Sequence, residues 1–285
     1  MTINGPIAIV GPGIVVVTGT GTDVGKTVVT AALAAVAAAH GQRVAVVKPV
    51  QTGVRFGEPG DATTARALAQ VERETPPTAG RPSSGRISAH EFTRLPEPLA
   101  PDIAARRAGV TLPPVGTYPP RIEHLARHHD LVLVEGAGGL LVRLDQDGGT
   151  LADLVAALPD ARVVVVVAAG LGTLNHSELT TRELHRRNLT TAGLVIGAWP
   201  PDAGPAEQEN LSALPQVTGL PLLGMVPAGA GSLPPTDFTL AATRWLTPPG
   251  GRRAGDRADA SGRVPTPASP ARTMTLASRS TSESG

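Results

Sequence analysis

Lysine is rare in this sequence, and both copies fall in segments that suit phosphate chemistry. Of the 25 basic residues, 23 are arginine, and only Lys26 and Lys48 are lysine. A lysine ammonium is a compact charge that fits beside a phosphate and shifts its pKa readily, whereas an arginine guanidinium is a broad planar fork. Because the chain uses arginine almost everywhere else, the pattern indicates a chemical role for these two lysines.

Lys26 belongs to the glycine-rich segment Gly19-Thr20-Gly21-Thr22-Asp23-Val24-Gly25-Lys26-Thr27, which lies between an apolar run and a helical stretch. A loop of this kind points backbone N–H groups and the positive end of a helix dipole at an anion. The pattern predicts a phosphate loop, with Lys26 beside the β- and γ-phosphates and the Thr27 hydroxyl on Mg²⁺. Five residues, rather than the usual four, separate its outer glycines.

Two carboxylates complete a set of oxygen ligands for a metal. Glu135 closes an apolar strand and precedes Gly136-Ala137-Gly138-Gly139, and burying its charge there requires a partner. Asp61 lies at the N-cap of a predicted helix, where it suits either a metal ligand or a simple helix cap. Because Mg²⁺ prefers hard oxygen ligands and often uses one or two carboxylates with phosphates and water, we predict that Thr27, Asp61 and Glu135 bind it.

The elements around these residues predict an α/β fold. Apolar runs rich in valine, leucine and isoleucine alternate with helical stretches, as in parallel strands covered on both faces. The predicted strands are Ile14–Thr18, Val44–Lys48, Leu131–Glu135, Arg162–Ala168, Gly193–Gly197 and Leu220–Val226. The predicted helices are Lys26–His40, Ala62–Gln70, Pro119–His128, Leu151–Leu158, Asn175–Arg187, Pro205–Ala213 and Asp237–Leu246. We therefore expect a doubly wound, mainly parallel sheet in one P-loop domain, with Lys48 projecting from a strand end beside the phosphate loop.

Three segments fall outside the alternating pattern. Residues 1–13 are a predicted N-terminal extension to a P-loop domain that spans 14–247. Residues 75–118, rich in proline, serine, glycine and arginine, predict a long connection with one short helix near Pro101–Arg107. Residues 248–285 have almost no large apolar side chains and predict a disordered tail. Six arginines lie in this tail, so the basic balance of the sequence belongs to the tail.

Composition excludes several classes of protein. The sequence has no cysteine, which excludes a disulfide framework, a thiolate nucleophile and a thiolate metal site. Its apolar runs are shorter than the ~18–20 residues of a membrane-spanning helix, and its first residues lack the basic region of a secretion signal. We therefore expect a cytoplasmic protein that binds neither membrane nor nucleic acid, with the basic tail an inert, solvated extension.

Five segments, in order, resemble the dethiobiotin synthetase family: GTGTDVGKT, KPVQTG, GDA, VEGAGGLLV and GLGTLNH. The resemblance covers roughly residues 14–246. It implies a nucleotide-dependent ligase of biotin biosynthesis that dimerises, with the substrate 7,8-diaminononanoate lying across the interface. One amine would capture CO₂ as a carbamate, whose oxygen attacks the γ-phosphate, and the second amine would then close the ring and expel phosphate.

The same resemblance implies which residues act. Lys26 and Lys48 would be the catalytic pair that holds phosphate and carbamate charge. The substrate would contact Thr22, Asp23, Lys48 and Thr52, and also the start of the partner subunit's helix at Thr173 and Asn175. The nucleotide would contact Asp23, Val24, Gly25, Lys26, Thr27, Val28, Asp61, Glu135, Gly136, Ala137, Gly138, Gly197, Ala198, Pro227, Ala228 and Gly229.

One position departs from the family. Where many members carry an asparagine that reads adenine, this sequence has Gly197, followed by Ala198 and Trp199. Without that side chain, backbone near Gly197–Ala198 and Pro227–Gly229 is left to cradle the base. We therefore predict ATP as co-substrate, together with relaxed use of other nucleoside triphosphates, including CTP.

Two alternatives share the P-loop scaffold. A cobyrinate-type synthetase would carry a cysteine nucleophile, and this sequence has no cysteine. A nucleotide switch that acts on a protein or DNA partner would lack the KPVQTG and GTLNH segments. The ParA/MinD-like switches also carry a second lysine near the start of the loop, where this chain has Thr20 and Gly21.

Overall fold

A single parallel sheet forms the centre of the protein. The computed structural model describes residues 11–70 and 86–246. Its strands are β1 (Gly13–Gly19), β2 (Val44–Gln51), β3 (Ile87–Arg94), β4 (Leu131–Glu135), β5 (Arg162–Val167), β6 (Thr191–Trp199) and β7 (Leu222–Pro227). They pair in the order β3-β2-β4-β1-β5-β6-β7, and every pair is parallel. The expected parallel sheet is confirmed.

Helices cover both faces of the sheet, as valine-rich strands without polar faces require. The helices are α1 (Lys26–Ala39), α2 (Asp61–Ala69), α3 (Pro101–Ala108), α4 (Tyr118–Ala126), α5 (Leu151–Ala156), α6 (Thr173–Arg186), α7 (Pro205–Thr218) and α8 (Pro235–Trp245). Residues of α1, α2 and α8 pack in one apolar core, and residues of α3 to α7 pack in a second core on the opposite face. Two cores on one sheet give the doubly wound architecture.

The interpretation of residues 75–118 as a connection is wrong for residues 87–94. These residues form β3, which lies at the edge of the sheet and, within 11–70 and 86–246, pairs with β2 alone. An edge strand of this kind need not be apolar on both faces, and Ser88, His90 and Glu91 break the apolar run that marks the inner strands. The short helix expected in the same segment is confirmed as α3.

Three predicted segments lie wholly or partly outside the described residues: the tail at 248–285, residues 75–85 of the connection and residues 1–10 of the N-terminal extension. Among the helices of 11–70 and 86–246, none is long and apolar enough to cross a membrane.

Strand order brings the predicted site residues to one edge of the sheet. β4 lies between β1 and β2, and it aligns Glu135 with Val17 and Val134 with Val47. Lys48, the next residue of β2, therefore lies close to Glu135 at the carboxyl ends of the strands. The phosphate loop follows β1 at this same edge, where ligands bind in open α/β sheets.

Candidate active site

The phosphate loop runs from the end of β1 into α1 and folds around Lys26. Gly25 is the N-cap of α1 with φ of 93°, a left-handed conformation that favours glycine. The Lys26 ammonium donates a hydrogen bond of 2.7 Å to the carbonyl oxygen of Gly21. Burial, followed by the nearby charge of Lys48, lowers the pKa of Lys26. The loop thus presents backbone N–H groups and one partly desolvated ammonium to an anion.

Lys48 joins the two predicted metal carboxylates. Its ammonium donates to Glu135 Oε1 and to the Gly136 carbonyl oxygen, both at 2.9 Å, and it lies 2.6 Å from Asp61 Oδ2. Burial by itself lowers the pKa of Lys48, but the charges of Glu135 and Asp61 outweigh it and hold that pKa above its ordinary value. Lys48 is therefore a buried, charged ammonium that is held by two carboxylates.

Glu135 has one oxygen in use and one without a partner. The Thr27 hydroxyl donates to Oε1 at 2.9 Å, the same oxygen that Lys48 contacts. Oε2 is fully buried and has no hydrogen-bond partner among the described residues. A buried polar atom without a partner costs about 1–3 kcal/mol. Together with Thr27 and Asp61, this free oxygen forms a set of hard donors that fits Mg²⁺.

A cavity of about 700 Å³ opens beside these groups. It brings together most of the predicted residues of the phosphate, metal and substrate sites: Thr22, Asp23, Gly25, Lys26, Thr27, Val28, Lys48, Thr52, Asp61, Glu135, Ala137 and Gly138. A volume of this size lies within the range of small-molecule and cofactor sites.

Six residues of the cavity wall are absent from the predicted site: Gln51, Pro98, Leu99, Ala100, Pro101 and Val142. Residues 98–101 lead into α3 and lie beside the end of β2, where Gly53 approaches Pro98. They add an apolar wall to a cavity that also holds the charged groups. This segment lies inside the predicted connection at 75–118, and its sequence contains no motif that indicates a binding site. Gln51 belongs to the KPVQTG segment, so its position within that motif is a signal that could have identified it as a site residue.

Contacts at the start of α2 set the orientation of Asp61. The backbone N–H of Asp61 donates to Gln51 Oε1 at 2.7 Å, and Gly60 before it has no side chain with which to cap the helix. Gln51 therefore supplies the cap from the neighbouring strand. The carboxylate of Asp61 pairs with Lys48 in the cavity and is not used as the helix cap.

The positions predicted to bind the base make their contacts mainly through the main chain. Gly197, at the end of β6, lies against the phosphate loop so closely that a Cβ atom there would overlap the carbonyl oxygen of Val24. The turn after β7 is tied to β6 by a hydrogen bond of 2.7 Å from the Ala228 N–H to the Trp199 carbonyl oxygen. The predicted base-binding positions Gly197, Ala198, Pro227, Ala228 and Gly229 do not line the cavity of about 700 Å³.

The predicted substrate contacts on α6 are also absent from this cavity. Thr173 is buried, and its hydroxyl donates to the carbonyl oxygen of Ala168 at 2.7 Å. Asn175 is exposed at the first turn of α6. Leu171 and Leu179 flank it with 91% and 60% of their surfaces exposed. The beginning of α6 thus presents a polar group within an apolar surface.

Comparison with known proteins gives matches along the same region. A family model described as an AAA domain matches residues 14–236. An ATP-dependent dethiobiotin synthetase from Streptomyces coelicolor is 55% identical over 236 residues, which cover 83% of this chain and 92% of the relative. The same-named protein from Rhodococcus jostii is 55% identical over 233 residues, covering 82% of this chain and 94% of the relative.

Similar solved structures are more distant. The septum site-determining protein MinD from Pyrococcus horikoshii, complexed with Mg-ADP, is 16% identical with a TM-score of 0.48, and the match covers 81% of this chain and 92% of that one. A ParA family ATPase from Chlorobium tepidum is 11% identical with a TM-score of 0.46, covering 82% of this chain and 90% of that one. Likenesses at this level carry no argument about activity.

A glycine-rich loop between the central strand and a helix, on a parallel sheet with helices on both faces, defines a nucleotide-binding enzyme of the P-loop class. The chain spans nearly the whole length of the synthetases it matches. It belongs to the ATP-dependent dethiobiotin synthetase family and is an ATP-dependent ligase.

Proposed function

We propose that this protein uses a nucleoside triphosphate and Mg²⁺ to join CO₂ to 7,8-diaminononanoate and close the ring of dethiobiotin, a cytoplasmic step of biotin biosynthesis. The observation that carries the proposal is the contact of Lys48 with both Asp61 and Glu135 beside the phosphate loop. Anions that develop during the reaction would meet two ammonium groups here, because Lys26 begins the helix that follows the loop. Positioned charges of this kind stabilise developing anions strongly.

The nucleotide is held mainly through its phosphates in this proposal. The loop N–H groups and Lys26 bind the β- and γ-phosphates, and Thr27, Asp61 and Glu135 hold Mg²⁺. The unpartnered Oε2 of Glu135 supports this ligand set, because it is a buried hard oxygen without a hydrogen-bond donor. Mg²⁺, when bound, supplies charge neutralisation on the phosphate oxygens.

Lys48 acts on the carbamate and on the transferred phosphoryl group. Nearby positive charge lowers the pKa of the substrate amine, which favours the neutral form that attacks CO₂ and then loses a proton. A carbamate oxygen next attacks the γ-phosphorus and releases the nucleoside diphosphate. The second amine, also neutral, attacks the carbonyl carbon of the carbamic-phosphoric anhydride and loses a proton, and phosphate leaves with the electrons of the C–O bond. The Lys48 ammonium balances negative charge at each of these steps.

The diamine lies along the apolar wall of the cavity. Thr22, Asp23 and Thr52 face its amines, and the segment from Pro98 to Pro101 covers its hydrocarbon chain. This placement is supported by the cavity, which these residues line together with Lys48. It leaves the substrate carboxylate at a distance from the phosphate loop.

A homodimer would supply the remaining contacts at the far end of the substrate. The beginning of α6, with Thr173 and Asn175, suits a carboxylate because a helix N-terminus attracts negative charge. Neither residue lines the cavity of its own chain, and Leu171 and Leu179, four residues on either side of Asn175, expose apolar side chains that a second subunit would cover. We therefore propose that α6 of one subunit completes the site of the other.

Subunit complementation tests the shared site. Lys48→Ala and Asn175→Asp should each be nearly inactive alone. Mixing and re-equilibrating the two variants would create heterodimers with one intact site, and about a quarter of the wild-type rate should return for a symmetric dimer. Sedimentation velocity gives the oligomeric state in the same buffers. A monomer, or a mixture no more active than its parts, would contradict the shared site.

The reaction itself is tested by product formation. Purified protein is incubated with 7,8-diaminononanoate, ¹³C-bicarbonate, Mg²⁺ and each of ATP, CTP, GTP and UTP. Mass spectrometry should detect dethiobiotin with one added ¹³C, with one phosphate released per ring closed. Because the base-binding positions lack a functional side chain, we expect kcat/KM for ATP and CTP to differ by less than about tenfold, which is 1.4 kcal/mol. Phosphate release without product would reject the synthetase reaction, and a thousandfold preference for ATP would reject the relaxed base selection.

A further inference from the structure

Gln51 is a buried amide that contacts two parts of the site at once. It is the last residue of β2, and only 3% of its surface is exposed. Its side-chain oxygen accepts the N–H of Asp61 at 2.7 Å, and its side-chain nitrogen donates to the carbonyl oxygen of Thr52 at 2.9 Å. The amide therefore connects the carboxylate side of the cavity with the side on which the diamine lies.

Asp61 depends on this contact for its position. Its side chain is 36% exposed, so packing does not fix it, and Gly60 offers the helix no side-chain cap. The two groups that hold Asp61 are Gln51, through the backbone N–H, and Lys48, through the carboxylate. Both come from β2. The carboxylate is thus held at a set distance from the strand that also carries Lys48.

We propose that Gln51 is a positioning residue that holds Asp61 ready for Mg²⁺ and keeps Thr52 in place for the diamine. This inference rests on the proposed metal role of Asp61. Residues that hydrogen-bond to a metal ligand without contacting the metal contribute strongly to metal affinity. A ligand that is already held in place loses less conformational freedom when the metal binds. Gln51 itself contacts neither the metal nor the reacting atoms.

A second residue, Glu91, caps the first turn of α2, so the helix should persist when the Gln51 side chain is replaced. Glu91, on β3, accepts the backbone N–H and the hydroxyl of Thr63, both at 3.2 Å, in the first turn of the same helix. That second cap is independent of Gln51. Variants at Gln51 should therefore keep the helix and shift only the orientation of its first residue.

The test compares Gln51→Leu with Gln51→Glu. Binding of a non-hydrolysable ATP analogue is measured by calorimetry across a Mg²⁺ titration and also without metal, and thermal unfolding is recorded for each variant. Gln51→Leu should raise the Mg²⁺ concentration for half-maximal binding by about tenfold or more, with metal-free binding unchanged. Gln51→Glu keeps an acceptor for the Asp61 N–H and should restore the wild-type Mg²⁺ requirement, but it loses the donor to Thr52 and should raise KM for the diamine.

Two further variants make the outcomes distinguishable. Thr63→Val removes one hydrogen bond from the same helix turn without touching Asp61, so its Mg²⁺ requirement should match the wild type. Asp61→Asn tests the metal role directly. If Asp61→Asn raises the Mg²⁺ requirement and Gln51→Leu does not, the positioning role is wrong and the metal site stands. If neither variant changes the requirement, the metal role of Asp61 fails and the inference fails with it. An equal loss of binding with and without Mg²⁺ in Gln51→Leu also overturns the positioning role.

Discussion

The phosphate end of the site, around Lys48, and its predicted base end, around Gly197, differ in whether side chains or main chain make the contacts. At the phosphate end, the Lys48 side chain contacts the carboxylates of both Glu135 and Asp61, and Lys48 and Glu135 are almost completely buried. At the base end, Gly197 meets the phosphate loop backbone to backbone. The difference predicts that side chains specify the reaction, whereas the main chain forms the binding place of the base. Substitutions should therefore remove chemistry at the first end and act through packing at the second.

The largest effect is expected at Lys48. Lys48→Ala leaves Glu135 buried without its ammonium partner, and Lys48→Arg places a broad fork where a compact charge fits. Both should lower kcat by about 10²–10³-fold, as removal of other preorganised charge-stabilising groups does. Steady-state kinetics with saturating ATP and diamine measures the loss, and circular dichroism checks that the fold persists.

Arg43→Ala is the matched control for Lys48. Arg43 immediately precedes β2, at its amino end, and its guanidinium pairs with Asp130 at 2.9 Å on an exposed surface. Exposed ion pairs contribute little to stability, so this variant should keep wild-type kcat. A Lys48 variant that also keeps near wild-type kcat would show that charge at the phosphate end is dispensable.

A smaller effect is expected at Gly197. Gly197→Asn introduces the side chain that the family resemblance predicts to read adenine, but its Cβ would overlap the Val24 carbonyl oxygen of the phosphate loop. Overpacking of this kind costs about 1–3 kcal/mol. We expect all four nucleoside triphosphates to bind roughly tenfold more weakly, with no gain in preference for ATP, in fluorescence titrations at fixed Mg²⁺.

Gly116→Asn controls for the exchange of glycine for asparagine. A Cβ at Gly116 would meet no atom within 4 Å, so nucleotide binding should be unchanged there. If Gly197→Asn binds ATP more tightly and rejects CTP, then a side chain at the end of β6 can read the base, and the contrast between the two ends is wrong.

The predictable part of this protein is the part that local sequence determines. The apolar runs of β1 and β4 mark buried strands, and the phosphate loop between β1 and α1 carries its own signature. Strand-end geometry then brings Lys48 near Glu135, as the sequence predicts. Each of these features depends on a short segment or on a general rule of parallel sheets.

The features that the sequence did not predict depend on contacts between residues that are far apart in the sequence. β3 carries polar residues and gains its identity only by pairing with β2. The wall at Pro98–Pro101 faces the cavity because of where β2 ends, and Gln51 caps a helix that begins ten residues later. Gly197 departs from the family pattern in sequence, but only the structure places it against the phosphate loop. Contacts of this kind produce no pattern in the sequence of either segment alone.

The smallest effect on activity is expected at His90 of β3, which does not line the cavity of about 700 Å³. His90 and His129 each lie within 3.0 Å of the Ser88 hydroxyl. Burial, and then the neighbouring His129, lowers the pKa of His90 below its ordinary value of 6.5. The unfolded chain therefore binds a proton more readily than the folded one, so stability falls as pH drops below 6.5 toward the folded-state pKa.

His90→Gln separates this stability effect from catalysis. The variant should flatten the fall in melting temperature between neutral pH and pH 5, because it removes the group whose protonation the fold disfavours. At neutral pH its kcat/KM should stay within about twofold of the wild type, since changes away from a site usually alter free energies by no more than ~0.5 kcal/mol. Melting temperatures across the pH range and kinetics at pH 7 test both parts. A loss of activity at pH 7 would mean that β3 is coupled to the charged groups of the site. The route would be Glu91 of β3, which accepts the N–H of Thr63 in the first turn of α2, the helix that carries Asp61.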